Sequence, residues 1–250
     1  MRPPSANFST GLTTVNLGKP DYNLALKQHA AYCATLVSFG LALTTLRADD
    51  EHPDSTFVED VAIITERGAI ITRPGAETRR DEITSISSEL WRLFDKIAVI
   101  EASGTVEGGD VCEAGGHFFI GISQRTNEAG ANQLSKLLRD LDYSSELVDI
   151  RGIKGILHLK SGIAYLGANE LVAIDALVDR GPLRNYEMIR VHPSEQYAAN
   201  CVAINGSVLI AAGFPLLEKQ LRDRGYQTIS LAMSEFQKMD GGLSCLSLRF

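Results

Sequence analysis

The chain has 250 residues, of which 44% are hydrophobic and 22% charged, close to the usage of ordinary globular proteins. This composition excludes the collagen, coiled-coil and disordered classes. The 31 acidic and 24 basic residues give a net charge of −7 at pH 7. That charge argues against a nucleic-acid-binding surface and mildly favours a neutral or cationic small ligand.

Neither a membrane segment nor a secretory signal is predicted. The longest uncharged runs, 30–46 and 196–217, are interrupted by polar residues, glycine or proline, so neither provides the ~18 apolar residues of a spanning helix. The first ten residues contain Arg2 and two prolines but no apolar signal core. The cysteines have no paired spacing of the zinc or redox kind, which favours a reducing cytoplasm: they are Cys33, Cys112, Cys201 and Cys245.

A pattern of strand, turn, strand and helix starts twice in the first half of the chain. The leucines at 134, 137, 138 and 141 follow the spacing of one helical face. The two copies are predicted as strand 60–64, strand 69–72 and helix 85–94, then strand 110–112, strand 117–122 and helix 127–141.

Two more copies are predicted further along, and a fifth is split between the ends of the chain. The third is predicted as strand 157–160, a turn at Ser161-Gly162 and strand 163–166. The fourth is predicted as strand 199–204, a hairpin turn at Asn205-Gly206, strand 208–210 and a helix from Pro215 to near Gly225. The fifth combines a helix from Asp21 to Gly40, segment 41–46 and segment 244–248.

The period of roughly 45 residues is typical of repeat architectures, in which each unit buries its apolar face against its neighbours. We therefore predict one α/β domain over residues 1–250, built as a closed ring of five ββαβ units. Equivalent positions should converge on the ring axis. The residues expected there are Asp60, Asp110, His158, Asn200 and Cys245.

Cys245 is the candidate nucleophile, because it follows two glycines that allow close backbone approach to a ligand. A thiolate needs an adjacent base or cation, and His158 is the candidate. Glu107, before another glycine pair, could orient the imidazole. The alternatives are a small buried cysteine, a core histidine and a solvated turn acid.

Charged residues near the predicted ring mouth indicate the ligand. Asp54, Glu59 and Asp60 surround a strand start, where an inward carboxylate needs a cation, which the substrate could supply. Arg79 and Arg125 lie in loops after strands and could clamp a carboxylate. The pattern favours a ligand with a cation at one end and a carboxylate at the other, although loop arginines are ordinarily surface residues.

Several segments resemble the dimethylarginine dimethylaminohydrolase family of the guanidino-modifying (pentein) superfamily. They cover nearly the whole chain in order: LTT at 12–14, LGKPDY at 17–22, FVED at 57–60, TRPGA at 72–76, GTVE at 104–107, LHLK at 157–160 and DGGLSC at 240–245. The resemblance implies a five-bladed propeller around a central active-site channel. It also implies cofactor-free hydrolysis of Nω-methylated arginines to citrulline plus methylamine or dimethylamine, with a part in nitric oxide regulation.

The resemblance also assigns residue roles. It makes Cys245 the nucleophile, His158 the general acid and base, and Glu107 the orienting acid, while Asp110 is secondary. Leu12 would belong to a flexible lid, and Cys112 replaces the aliphatic residue expected at its position. Substrate contacts are expected at Leu12, Asp54, Glu59, Asp60, Arg79, Arg125 and Met239.

Three alternatives stay open. An arginine deiminase would use the same triad and release ammonia, but such enzymes usually carry an extra helical insertion. A non-catalytic five-bladed binding protein would not need the Cys245, His158 and Glu107 set. A zinc site at Cys245 and His158 has only two obvious ligands, although this pair could bind zinc as an inhibitor. We expect no cofactor or metal, a small-molecule substrate, and no nucleic-acid or membrane partner, and a homodimer is left open.

Overall fold

A β-hairpin followed by a helix and a third strand occurs four times in the computed structural model, which describes residues 1–250. The helices are α1 Tyr22–Ser38, α2 Ile83–Leu93, α3 Glu128–Asp140, α4 Asp175–Val178, α5 Pro215–Asp223 and α6 Ser234–Gln237. The strands are β1 Ala62–Thr65, β2 Gly68–Ile71, β3 Ile97–Val99, β4 Val111–Ala114, β5 His117–Ile122, β6 Ser144–Asp149, β7 Ile163–Gly167, β8 Glu170–Ile174, β9 Glu187–Val191, β10 Val202–Ile204, β11 Ser207–Ala211 and β12 Gln227–Leu231.

Each of the four sheets has three strands with the same topology. The first two strands pair antiparallel as a hairpin, and the third returns through the helical segment to pair parallel with the second. A parallel partner requires such a crossover, and here a helix provides it. The predicted ββαβ unit is confirmed for these four sheets.

The third unit corrects one sequence prediction. Residues 157–160 do not form a strand, and Ser161-Gly162 is not the hairpin turn, because Leu159–Ser161 form a 3-10 turn. The hairpin joins β7 to β8 through Ala168 and Asn169, both in the left-handed region with φ of 46° and 67°. The sequence predicts the turn at Gly162, whereas Ala168 and Asn169 form the turn in the structure.

The fifth unit keeps its helix but has no regular sheet. Helix α1 starts where predicted, because the Asp21 side chain accepts a hydrogen bond from the Leu24 N–H at 2.9 Å. Segment 41–46 forms no named strand. It bonds to Met1 instead, whose amino group donates to Thr44 O and whose carbonyl accepts from Leu46 N. The split fifth copy therefore keeps its helix, whereas its two end segments form no regular strands.

Short 3-10 turns precede the first strands of the units, and side-chain hydrogen bonds join several of these turns to the next unit. Asp60 accepts from the Gly109 N–H, Asp110 from the Leu159 N–H, and Asn200 from the Ser244 N–H, each at 2.9 Å. These bonds bring the turns together around one axis. The predicted convergence of the acidic and amide side chains therefore occurs. Asp110 and Asn200 hold neighbouring units together through these bonds.

The core lies between the sheets and the helices that cover them. In α3 the predicted stripe is confirmed, since Leu134 and Leu138 are fully buried and Leu137 and Leu141 pack against the same cluster. Burial of these side chains against the sheet holds each helix on the outside of the ring. None of the six helices combines the length and the hydropathy that crossing a membrane would require.

Candidate active site

A small cavity of about 30 Å³ lies where the 3-10 turns converge. It contains every residue proposed for the catalytic triad and most of those proposed to bind substrate. The lining residues are Leu12, Asp54, Phe57, Asp60, Arg79, Glu107, Arg125, Leu157, His158, Met239, Asp240, Gly241 and Cys245. Residues from distant parts of the chain, between Leu12 and Cys245, therefore meet at one point.

His158 and Glu107 form the central pair of this cavity. The His158 Nε2 atom lies 2.7 Å from Oε2 of Glu107, and both side chains are buried. The second carboxylate oxygen accepts from the Ala76 N–H at 2.9 Å and lies 3.4 Å from an Arg125 nitrogen. A carboxylate held in this way fixes the orientation of the imidazole ring.

Gly109 allows Asp60 and the imidazole to approach each other. A Cβ atom at Gly109 would lie 2.8 Å from the His158 ring and 2.9 Å from Asp60 Oδ1, so a larger residue would displace both. The glycine pair after Glu107 thus brings the backbone close to the axis, as the sequence predicts. The close contact leaves Asp60, Glu107 and His158 with side-chain atoms within 4.8 Å of one another.

These charges set the protonation states of the unliganded site. Burial favours a neutral imidazole, but the carboxylates of Asp60, Asp110 and Glu107 outweigh it and raise the pKa of His158 to about 9. Burial also works against ionisation of Glu107, but the bond to His158 and the nearby arginines keep its pKa well below the ordinary value. Near pH 7 the pair is an imidazolium and a carboxylate.

The Cys245 thiol has the opposite electrostatic environment. Burial, together with the negative charges of Glu59 and Asp60, raises its pKa to about 12. Its Sγ atom accepts a single backbone bond, from the Gly242 N–H at 3.3 Å. Without a bound cation the group is a thiol.

Side-chain hydrogen bonds fix the turn that carries Cys245. Asn200 donates to Ser244 Oγ at 2.9 Å, and Ser244 Oγ donates to Glu59 at 2.8 Å. Gly242 is required because a Cβ there would lie 2.4 Å from the Asn200 side chain. The glycines before Cys245 therefore allow close protein packing, while the left-handed conformation belongs to Asp240, whose φ is 57°.

The two candidate arginines differ. Arg79 is buried and ion-paired with Asp60 at 2.5 Å and Glu82 at 2.9 Å, and it donates to the Phe57 carbonyl at 3.0 Å. Its charge is already balanced, which argues against the carboxylate clamp suggested for it. Arg125 makes one long contact, to Glu107, and keeps part of its side chain exposed.

Glu59 does not line this cavity, contrary to the expectation of a direct substrate contact. Its carboxylate pairs with Lys160 at 2.6 Å and accepts from Ser244. Behind the pair lies a chamber of about 410 Å³ lined by β1, β4, β7 and β10, with Cys112 and Cys201 in its wall. Sequence reasoning missed Lys160 because nothing in its local pattern shows which acid it faces.

The segment before Leu17 covers the cavity. The Leu12 N–H donates to both oxygens of Asp54 at 3.0 and 3.1 Å. The Thr14 side chain donates to Asp240 at 3.1 Å, and its backbone N–H donates to the same carboxylate. Leu12 is 40% exposed, although its backbone is held against the site. Asp54 therefore anchors this segment against the cavity, and Asp240 is a second anchor that sequence reasoning missed.

Asp60, Glu107 and His158 are close enough to share one metal ion. Each of them already has protein partners, since Arg79 binds Asp60 and Glu107 binds His158. The trio is therefore balanced by its own charges and hydrogen bonds, and its geometry does not require an ion.

Sequence comparisons agree with this geometry. A family model described as arginine deiminase matches residues 49–196. The N(G),N(G)-dimethylarginine dimethylaminohydrolase of Pseudomonas aeruginosa is 43% identical over 250 residues, covering 100% of this chain and 97% of the relative. The protein of the same name from Streptomyces coelicolor is 34% identical over 252 residues, covering 100% and 95%.

Solved structures agree as well. The Pseudomonas aeruginosa dimethylarginine dimethylaminohydrolase, as a cysteine-to-serine mutant complexed with citrulline, matches with a TM-score of 0.96 and 43% identity, covering 100% of this chain and 97% of that one. A domain of a cyanobacterial arginine dihydrolase matches with a TM-score of 0.87 at 17% identity, covering 100% and 95%, and shares the fold alone. The five-bladed, propeller-like pentein fold is thus confirmed, and the chain belongs to the arginine deiminase family and, within it, to the dimethylarginine dimethylaminohydrolases.

Proposed function

We propose that the chain hydrolyses Nω-methylated L-arginines to L-citrulline and dimethylamine or methylamine, and that residues 1–250 act as one catalytic domain. The observation that carries this proposal is the 2.7 Å His158–Glu107 bond beside Cys245 in one small acidic cavity. Full-length similarity to proteins named dimethylarginine dimethylaminohydrolase supports the substrate class. A solved adduct of such an enzyme with S-methyl-L-thiocitrulline supports chemistry at the guanidino carbon.

Substrate charge explains how the thiol becomes a nucleophile. The carboxylates of Glu59 and Asp60 oppose ionisation of Cys245 in the unliganded site. A guanidinium placed beside them would neutralise these negative charges and lower the pKa of the thiol, which then releases its proton to solvent. The positive charge that makes the substrate a poor electrophile thus helps to generate the thiolate that attacks it.

In the first half-reaction the Cys245 thiolate forms a bond to the guanidino carbon. The His158 imidazolium transfers its proton to the departing methylated nitrogen, the carbon–nitrogen bond breaks, and the amine leaves. A thiouronium remains on Cys245 and the imidazole is neutral. The raised pKa of His158, about 9, is suited to this acid role.

In the second half-reaction the neutral imidazole removes a proton from water, and the resulting hydroxide adds to the thiouronium carbon. The carbon–sulfur bond breaks, the hydroxyl proton of the adduct goes to solvent, and the thiolate and citrulline separate. Glu107 holds the imidazole in one orientation through both steps. Arg125, the less buried of the two arginines, is assigned to the substrate α-carboxylate.

An assay of amine products tests the function. Purified protein would be incubated with arginine, monomethylarginine and asymmetric dimethylarginine, and ammonia, methylamine and dimethylamine would be quantified together with citrulline. We expect methylamine and dimethylamine from the methylated substrates and little ammonia from arginine. Efficient ammonia release from arginine would instead support an arginine deiminase, the activity for which the matching family model is named.

The cellular setting is a separate matter. A cytoplasmic location and a part in nitric oxide regulation stay predictions. Cell fractionation with an antibody against the chain tests the first. Comparison of methylarginine levels in cells with and without the gene tests whether the activity acts on that pool.

A further inference from the structure

Met1, His29 and Cys33 form a cluster of donor atoms outside the catalytic cavity. His29 and Cys33 are one helical turn apart on α1, so their side chains lie on the same face. The Cys33 Sγ atom is 3.5 Å from His29 Nδ1 and 3.9 Å from Met1 Sδ. A thiol, an imidazole nitrogen and a thioether thus share one small region.

The two separations from Cys33 are those of ligands around a single ion. Three donors placed at ~2.0–2.3 Å from a metal in a trigonal plane lie ~3.5–4.0 Å from one another. The distances from Cys33 to His29 and to Met1 both fall in that interval. No aspartate or glutamate joins His29 and Cys33 to form a wider cluster.

The imidazole of His29 is buried, with 4% of its surface exposed. The nitrogen that faces the cluster is Nδ1, which contacts the Cys33 thiol. A neutral imidazole can donate the lone pair of this nitrogen to a metal ion.

We propose that Met1, His29 and Cys33 form a binding site for one Cu(I) ion. Thiolate and thioether sulfur are soft ligands that favour Cu(I), and imidazole suits copper as well. Zinc is usually bound by thiolate, imidazole and carboxylate, so the thioether and the lack of a carboxylate favour copper over zinc. On binding, the Cys33 S–H bond breaks, its proton goes to solvent and a sulfur–copper bond forms, with no change in oxidation state.

Competition for Cu(I) against a coloured chelator, under anaerobic conditions, tests the site. All proteins would carry Cys245→Ser, which removes the catalytic thiol as a competing ligand. We expect this parent to bind one equivalent of Cu(I). Cys33→Ser should bind it roughly 100-fold more weakly, because the site loses its only thiolate. Met1→Leu, made by cleaving an N-terminal fusion, should weaken binding by about tenfold.

Cys112→Ser is the matched control, since Cys112 is a buried thiol in the chamber wall away from His29. Its Cu(I) affinity should equal that of the parent. The proposal would be overturned if Cys112→Ser and Cys33→Ser lost Cu(I) affinity equally. It would also be overturned if Cys33→Ser kept the Cu(I) affinity of the parent. Unchanged affinity in Met1→Leu would overturn the assignment of the thioether.

X-ray absorption at the copper edge of the loaded parent gives a test that needs no further variant. The first shell should contain two sulfur atoms and one nitrogen atom. A shell of nitrogen and oxygen only would overturn the proposal. Thermal unfolding provides a second readout, because a ligand that binds only the folded state raises Tm, and this rise should be absent from Cys33→Ser.

Discussion

The two sides of the small cavity are built differently. Its floor consists of Asp60, Glu107 and His158, whose exposed fractions are 4%, 0% and 7%. Its lid consists of residues 11–17, which form no helix or strand. The exposed fractions of Leu12, Val15 and Leu17 in this segment are 40%, 37% and 51%. The floor is joined by charged hydrogen bonds in a buried setting, whereas the lid is anchored mainly at Asp54 and Asp240.

This difference separates chemistry from access. A floor group cannot move without leaving a buried charge unpaired, which costs several kcal/mol. The cavity beneath the closed lid measures about 30 Å³, whereas ligand pockets usually measure ~300–1,000 Å³. We therefore expect the lid to open when an arginine derivative enters. We expect changes in the floor to alter the chemical step and changes in the lid to alter substrate access.

The largest expected effect is the loss of the nucleophile above the floor. Cys245→Ser should fold normally and lose at least ~10³ of the rate, because a hydroxyl is a much weaker nucleophile than a thiolate. Cys112→Ala is the control, since that thiol lies on the chamber side of the Glu59–Lys160 pair. Steady-state citrulline production measures both, and near-normal turnover by Cys245→Ser would reject the mechanism.

The next effect concerns the two ends of the substrate. Asp60→Asn and Arg125→Ala should each lower kcat/KM, because each leaves a substrate charge unpaired. The expected loss corresponds to roughly 2–4 kcal/mol of transition-state stabilisation. A substrate analogue lacking the α-carboxylate should be almost insensitive to Arg125→Ala and still sensitive to Asp60→Asn. If Arg125→Ala harms both substrates equally, Arg125 supports the floor through Glu107 instead.

The floor also predicts a pH dependence of stability. The folded-state pKa of His158 is about 9, above its ordinary value of 6.5. Its stabilising contribution is therefore complete below pH 6.5 and is lost as the pH rises through 9, by about 3 kcal/mol in total. In His158→Gln this pH-dependent loss of unfolding free energy should be absent. In His192→Gln, where the replaced residue is exposed, the loss should remain. Denaturant unfolding between pH 6 and 9.5 measures the difference, and parallel curves for wild type and His158→Gln would contradict it.

The smallest effect is expected in the lid. Asp240→Asn keeps a side chain that tolerates the left-handed backbone but weakens the bonds to Thr14. We expect KM to change by about threefold or less, with kcat nearly constant, because an exposed charge-assisted bond contributes little. Asp142→Asn is the matched control, since Asp142 is also left-handed and lies far along the chain. A large fall in kcat for Asp240→Asn would show that the lid participates in the chemical step.

Local sequence determined the repeated units and the identity of the catalytic candidates. Glycine turns, alternating strands and leucine spacing marked three hairpins and the helices near them, because these signals act between residues close in the chain. The glycines beside Glu107 and Cys245 marked the places where backbone approaches side chains. Cys245, His158 and Glu107 were identified in the same way, with support from the family resemblance.

Tertiary structure alone decided which charges face each other. The partners of Glu59 are Lys160 and Ser244, which lie 101 and 185 residues away, and no local pattern could indicate them. The same holds for the hairpin at Ala168-Asn169 and for segment 41–46, whose conformations depend on packing rather than on turn residues. The physical reason is range: backbone preferences are set by neighbours in sequence, whereas ion pairs and pKa values are set by groups that become neighbours only when the ring closes.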